Sequence, residues 1–140
     1  MGKKIKFSLF ILVAMVFLPM AIAAGEEKPK TYHRAFYSGK MLVDKIIEIG
    51  LDHKGVKLEA ITFSGNEALL IAFNRTPSGV KANVGVALFD EKNQLIAAES
   101  DSRATGIRSG KQGNFKIKFK KFVSGFKGVA RFHLVFVIVE

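Results

Sequence analysis

The chain is 140 residues long, carries a net charge of +10 and contains no cysteine. That length suits one domain with a single core, and the missing thiols exclude a disulfide framework, thiol catalysis and cysteine-ligated metal. Net charge falls to +7 once the three lysines of the first six residues are set aside, and the excess is confined to the last third: nine basic residues and no acidic one lie between Ser102 and Val139.

In chain order, Lys3, Lys4 and Lys6 precede an uncharged apolar run from Phe7 to Ala24, which closes on Pro19 and Ala21-Ile22-Ala23. A positive start, an apolar centre and a small-x-small end read as a signal peptide over residues 1–23, cleaved after Ala23. The competing reading is an uncleaved membrane anchor, which 18 apolar residues are long enough to form. Residues 24–40, with Glu26, Glu27, Lys28, Pro29 and Lys30 at their start, read as a flexible mature N-terminus. The expected address is therefore outside the cytoplasm: periplasm or extracellular space.

Residues 41–140 read as one all-β domain. The first segment, Met41 to Leu51, supports two readings. Leu42, Val43, Ile46, Ile47 and Ile49 suit an amphipathic helix, whereas the β-branched Ile46-Ile47-Glu48-Ile49 followed by Asp52-His53-Lys54-Gly55 suits a strand running into a turn, which is the preferred reading. From Val56 alternation is clear through Phe63, and Ser64-Gly65-Asn66 reverses the chain into Ala68 to Phe73. A loop at Asn74 to Gly79 contains Pro77 and the glycosylation triplet Asn74-Arg75-Thr76. Two more strands, Ala82 to Phe89 and Gln94 to Glu99, flank a turn at Asp90-Glu91-Lys92-Asn93. A glycine-rich loop then leads to the basic segment. About seven strands at this spacing predict an immunoglobulin-like β-sandwich.

In Phe115-Lys116-Ile117-Lys118-Phe119-Lys120, period-2 alternation sends the aromatic and aliphatic residues to one side of a sheet and the lysines to the other. A second alternating run follows from Val129 to Val139, so a hairpin with Phe122 opposite Lys127 is the economical expectation. That register would set Ile117 opposite Phe132 inside, with Lys118 opposite Arg131 and Lys116 opposite His133 outside.

The segments Val86-Ala87-Leu88-Phe89-Asp90, Glu91-Lys92-Asn93-Gln94-Leu95-Ile96 and Ser109-Gly110-Lys111-Gln112-Gly113-Asn114-Phe115 resemble the FxLYD-type immunoglobulin-like or fibronectin-like modules of prokaryotic exported proteins. The resemblance covers about Val56 to Val139 and departs from the pattern at Val86 and Phe89. It implies a sandwich in the cell envelope and carries no catalytic site with it.

Chemistry-bearing motifs are sparse. His33, His53 and His133 lack metal-ligand spacing, Ser64 lacks the flanking glycines of a nucleophile elbow, and the loop from Gly106 to Gly113 lacks the Lys-Ser/Thr ending of a phosphate loop. No catalytic, metal or cofactor site is expected. The one feature with a physical consequence is the basic face, with Lys116, Lys118, Lys120 and Arg131 as an anion-binding surface for lipid headgroups or charged glycans. Nucleic acid is disfavoured because Phe115 and Phe119 point away from the lysines and cannot stack on bases beside them. Three functions follow: a non-catalytic binding module for an anionic envelope component, an accessory subunit that docks an envelope protein through a sheet edge, or a small enzyme whose site is assembled from loops.

Overall fold

A computed structural model describes residues 29–102, 106–122 and 125–140. The signal peptide expected at residues 1–23 lies outside the described residues. Eight strands build the domain: β1 (Tyr32–Lys40), β2 (Ile46–His53), β3 (Val56–Ser64), β4 (Glu67–Asn74), β5 (Lys81–Phe89), β6 (Leu95–Ser102), β7 (Gln112–Lys118) and β8 (Arg131–Val139). They form two antiparallel sheets, β1-β8-β5-β6 and β2-β3-β4-β7, packed face to face as a sandwich. No helix occurs among the described residues.

Burial follows the alternation. In β7 the buried Phe115 and Ile117 alternate with the exposed Lys116 and Lys118, and in β8 Phe132, Leu134, Phe136 and Ile138 alternate with outward residues. Facing residues of the two sheets interdigitate, with Phe63 and Phe132 at 5.1 Å between ring centroids and Phe115 and Phe136 at 6.3 Å. Each fully buried side chain of this kind contributes about 1.5–3 kcal/mol relative to exposure.

The expected β7–β8 hairpin does not form. β7 pairs with β4, whereas β8 lies between β1 and β5 in the other sheet. The connection explains the difference: Phe119, Phe122 and Phe126 pack together with centroids 5.6 to 6.5 Å apart, and Phe126 also meets Phe63 edge to face at 5.3 Å. Three phenylalanines cannot sit in a solvated turn, so the connection plugs one end of the sandwich and carries the chain from one sheet to the other. Val123 and Ser124 of the expected turn lie outside the described residues.

The sandwich also begins earlier than residue 41. Of the segment expected to be flexible, residues 24–28 lie outside the described residues, but Tyr32–Lys40 is the edge strand β1, paired along its whole length with β8. Its inward residues are His33, Ala35, Tyr37 and Gly39, all half-buried, so the apolar alternation that marks the other strands is weak here. β1 is the strand by which the observed eight exceed the expected seven.

Residues 46–53 are a strand, as the β-branched content suggested. It is broken by a register shift between Glu48 and Leu51, where Gly50 takes φ 64°. Lys54 and Gly55, at φ 52° and 79°, form the two-residue reversal into β3, matching the twist of a tight hairpin.

Asn74, fully buried at the end of β4, ties two loops together. Its Nδ2 donates to the carbonyls of Ser78 (2.9 Å) and Ile107 (2.8 Å), and its Oδ1 accepts from the Thr76 N–H at 2.8 Å and lies 2.6 Å from the Thr76 hydroxyl. Both amide donors and one acceptor position are thereby occupied, and the single Thr76 hydroxyl proton is shared between Asn74 Oδ1 and the Ser78 carbonyl 2.7 Å away.

Candidate binding surfaces

The outer face of the β2-β3-β4-β7 sheet carries the lysines of β7, because the inward positions are taken by Phe115 and Ile117. Lys116 lies opposite Leu69 and Lys118 opposite Glu67. The Lys116 ammonium is 3.5 Å from the Glu67 carboxylate, while its backbone N–H donates to Asp101 Oδ2 at 2.9 Å. Lys120 follows the end of the strand and borders a small groove with Glu99, Phe119 and Lys121. Arg131 is elsewhere: it projects from the outer face of the opposite sheet, where its Nη2 donates to Asn93 Oδ1 at 2.8 Å. The four expected anion-binding residues are thus divided between the two outer faces, and the Lys118–Arg131 and Lys116–His133 juxtapositions do not occur. The hairpin needed for them is replaced by two strands in different sheets.

Glu67 and Glu48 stand on the same outer face as Lys116 and Lys118, beside exposed Ile46 and Leu69, so that face is a mixed surface with a basic edge along β7. No ion pair to a carboxylate involves Lys118 or Lys120 among the described residues.

The outer face of the β1-β8-β5-β6 sheet holds a second feature. One row across it reads Phe36, Val135, Gly85, Ser100, and the next reads Ser38, His133, Ala87, Ala98. Small residues in the middle of both rows leave an open trough of about 470 Å³, walled by Phe36 and His133. Phe36 is 72% exposed. A Cβ at Gly85 would stand 3.1 Å from Val135 Cγ1 and fill part of the floor. The imidazole of His133 is oriented twice, by a 3.0 Å hydrogen bond between Nδ1 and the Ser38 hydroxyl and by edge-on contact with Phe89 at 4.6 Å.

No protein-family model matches the sequence, and no curated protein matches it. Among solved structures, one described as the structure of infectious bursal disease virus Gx strain is 10% identical with a TM-score of 0.36, over 79% of this chain and 28% of that one. Another, from work on the promiscuous specificity of carbohydrate-binding modules of the β-sandwich superfamily, is 7% identical with a TM-score of 0.28, over 79% of this chain and 54% of that one. The chain therefore spans about a quarter and about half of the lengths of these two structures.

The remaining titratable groups are dispersed. His33 Nε2 lies 2.9 Å from Glu140 Oε2, tying the residue after β8 to β1. His53 is half-buried at the end of β2, and its Nε2 has neither solvent nor a hydrogen-bond partner. Glu48 and Asp52, which a helix would have brought together with Asp44, are separated along the strand; Asp52 lies 3.6 Å from Arg75, and Asp44 accepts a 2.7 Å hydrogen bond from Ser64. No group of three or more potential metal ligands occurs among the described residues. Sequence reasoning missed the trough because Phe36 belongs to a strand with a weak pattern. The signal that was present is the run of small outward residues at Gly85 and Ala87, where alternation would otherwise place larger side chains on a two-sided sheet.

Proposed function

We propose that the chain is a non-catalytic binding module, exported to the cell envelope, which holds an anionic envelope component against the basic edge formed by Lys116, Lys118 and Lys120. The observation that carries this reading is the exposure of three lysines at alternate positions along one strand and its end, two of them without a carboxylate partner among the described residues. Successive lysines are about 7 Å apart along such a strand. Each adds up to about 1 kcal/mol near an anionic bilayer, which supports reversible attachment that weakens as salt shortens the Debye length. Phe115 and Phe119 are buried, so base stacking beside these lysines has no aromatic platform. Export rests on the N-terminal pattern, and the resemblance to FxLYD-type modules agrees with it.

Binding to vesicles containing anionic lipid, measured at low salt and again at high salt, tests the reading. Lys116→Glu with Lys118→Glu is expected to abolish binding and leave the fold intact, whereas Arg131→Glu, on the other face, leaves binding close to that of the parent. No binding at low salt, or equal loss on Arg131→Glu, would reject this surface.

A second reading is favoured by the trough. Its flat floor, exposed phenylalanine and oriented imidazole suit one ring of a neutral envelope glycan, with the C–H face of the sugar on Phe36 and a hydroxyl at His133. Gly85→Leu, which fills the floor, would then remove glycan binding while leaving vesicle binding unchanged.

A further inference from the structure

A sandwich of two open sheets has four edges, and each exposes backbone groups unless something blocks it. Among the described residues, three of them carry an obstacle to further pairing. β6 and β7 lie beside each other, with Asp101 of β6 accepting the outward N–H of Lys116. β2 is bent by its register shift and by Gly50 at φ 64°, a device that turns an edge away from further pairing. β1 is different: nine residues without proline, without an acidic side chain and without a register shift against β8.

The direction of its hydrogen bonds is fixed by its ends. Thr31 and Glu140 exchange both backbone hydrogen bonds at 2.9 Å, and the Met41 N–H donates to Ala130 at 3.0 Å. Odd-numbered residues of β1 therefore face β8, and the N–H and C=O groups of Arg34, Phe36 and Ser38 point away from the sheet, since the two sides alternate in an antiparallel strand. Their side chains rise from the outer face, where Phe36 and Tyr32 are among the most exposed apolar residues of the described chain.

We infer that β1 pairs with β1 of a second copy of this chain, antiparallel about a two-fold axis at Phe36, joining two four-stranded sheets into one of eight strands. Phe36 is the central residue of Tyr32–Lys40, so this register overlaps the whole strand. Phe36 then opposes Phe36, Arg34 opposes the second copy's Ser38, and Tyr32 opposes the second copy's Lys40. No two charged residues stand directly opposite. Sliding the pair by two residues in one direction sets Arg34 against the second copy's Lys40, and in the other shortens the paired stretch to Tyr32–Ser38 and sets Phe36 against the second copy's Arg34. Like charges directly opposite disfavour the first slip, and lost pairing disfavours both. Charge and overlap together select the register that gains most backbone hydrogen bonds and covers both Phe36 rings. An isologous contact of this kind closes after two copies.

Because each copy is strongly basic, added salt should strengthen this association by screening the repulsion between copies. Anion binding by the lysines of β7 runs in the opposite direction, which keeps the two surfaces distinguishable.

The test is sedimentation equilibrium of the purified protein, in whichever processed form the cell leaves it, across a range of concentrations and at two salt levels. A monomer–dimer equilibrium that tightens with salt is expected. Phe36→Glu, which sets two carboxylates opposite each other, and Ser38→Pro, which removes an outward N–H that β8 does not use, should each abolish the dimer. Thermal melts establish that both variants fold. Since the parent has no cysteine, Tyr32→Cys mixed with Lys40→Cys should cross-link as a heterodimer faster than either variant with itself. A protein that stays monomeric at every concentration, a dimer indifferent to both variants, or cross-linking without preference for the mixed pair would overturn the inference. A larger or open-ended assembly would do so too, as would association seen only when a different protein supplies the strand.

Discussion

Phe115 and Phe136 meet edge to face across the core, their ring centroids 6.3 Å apart and their planes at 85°. They belong to consecutive strands, yet they face each other from opposite sheets, so the last two strands of the chain hold the sandwich together by packing and not by a shared hydrogen-bond ladder. Edge-to-face pairs of this kind add about 0.5–1.5 kcal/mol beyond the area they bury.

Inside and outside along β7 and its end can be separated by two substitutions. Phe119 is buried against Phe122 and Phe126, whereas Lys118 is exposed. Phe119→Ala is expected to destabilise by about 3–5 kcal/mol and Lys118→Ala by less than about 0.5 kcal/mol, read from denaturant midpoints. Equal losses would contradict the assignment of faces.

The sheet assignment of β7 is open to a chemical test. Lys116 and Leu69 lie opposite each other with the Lys116 N–H turned away from β4, which makes them a narrow pair with Cα atoms about 4.5 Å apart, within disulfide range. Leu69→Cys with Lys116→Cys should oxidise readily to an intramolecular disulfide. Lys118→Cys with Arg131→Cys, which a β7–β8 hairpin would bring together, should not.

Asn74 is expected to be costly to replace. Asn74→Ala removes both amide donors from the Ser78 and Ile107 carbonyls and both hydrogen bonds to Thr76, a loss of about 2 kcal/mol or more given what unsatisfied buried groups cost. Thermal unfolding reads the loss, and amide exchange should localise the loosening to residues 74–80 and 106–111. The same burial closes the Asn74 amide to glycosylation in the folded domain.

His53 offers the opposite expectation. Its Nε2 is buried without a partner, so His53→Leu removes an unsatisfied polar atom and should leave stability unchanged or raise it by up to about 1 kcal/mol. A marked loss would show that the imidazole makes a contact of its own.

The alternation of Phe115, Ile117, Phe119, Phe132, Leu134 and Phe136 revealed in the sequence which side of each strand is buried, and the structure places all six in the core. Lateral neighbours were not readable from it. Which strand lies beside β7 is decided by the three phenylalanines of the next connection, and a phenylalanine in a short link reads equally well as the end of a strand. Glu67 and Asp101, the acids that meet Lys116, are separated from it by 49 and 15 positions, so the neutralisation of part of the basic face became visible only with the pairing. β1 escaped because Ala35 and Gly39 bury too little apolar surface to mark an inward face.

β8 lies between β1 and β5, although it is the last of the eight strands in chain order. No part of the β1-β8-β5-β6 sheet except the β5–β6 hairpin can form until residues 131–139 have left the ribosome. β1 must wait roughly a hundred residues for β8, the strand it pairs with among the described residues, a separation of the kind that slows folding. The other sheet has its three consecutive strands β2, β3 and β4 ready long before. The domain is thereby expected to stay unfolded through most of its synthesis, with the meander as the earliest protected unit, and a chain that stops before Arg131 forfeits one whole layer of the sandwich.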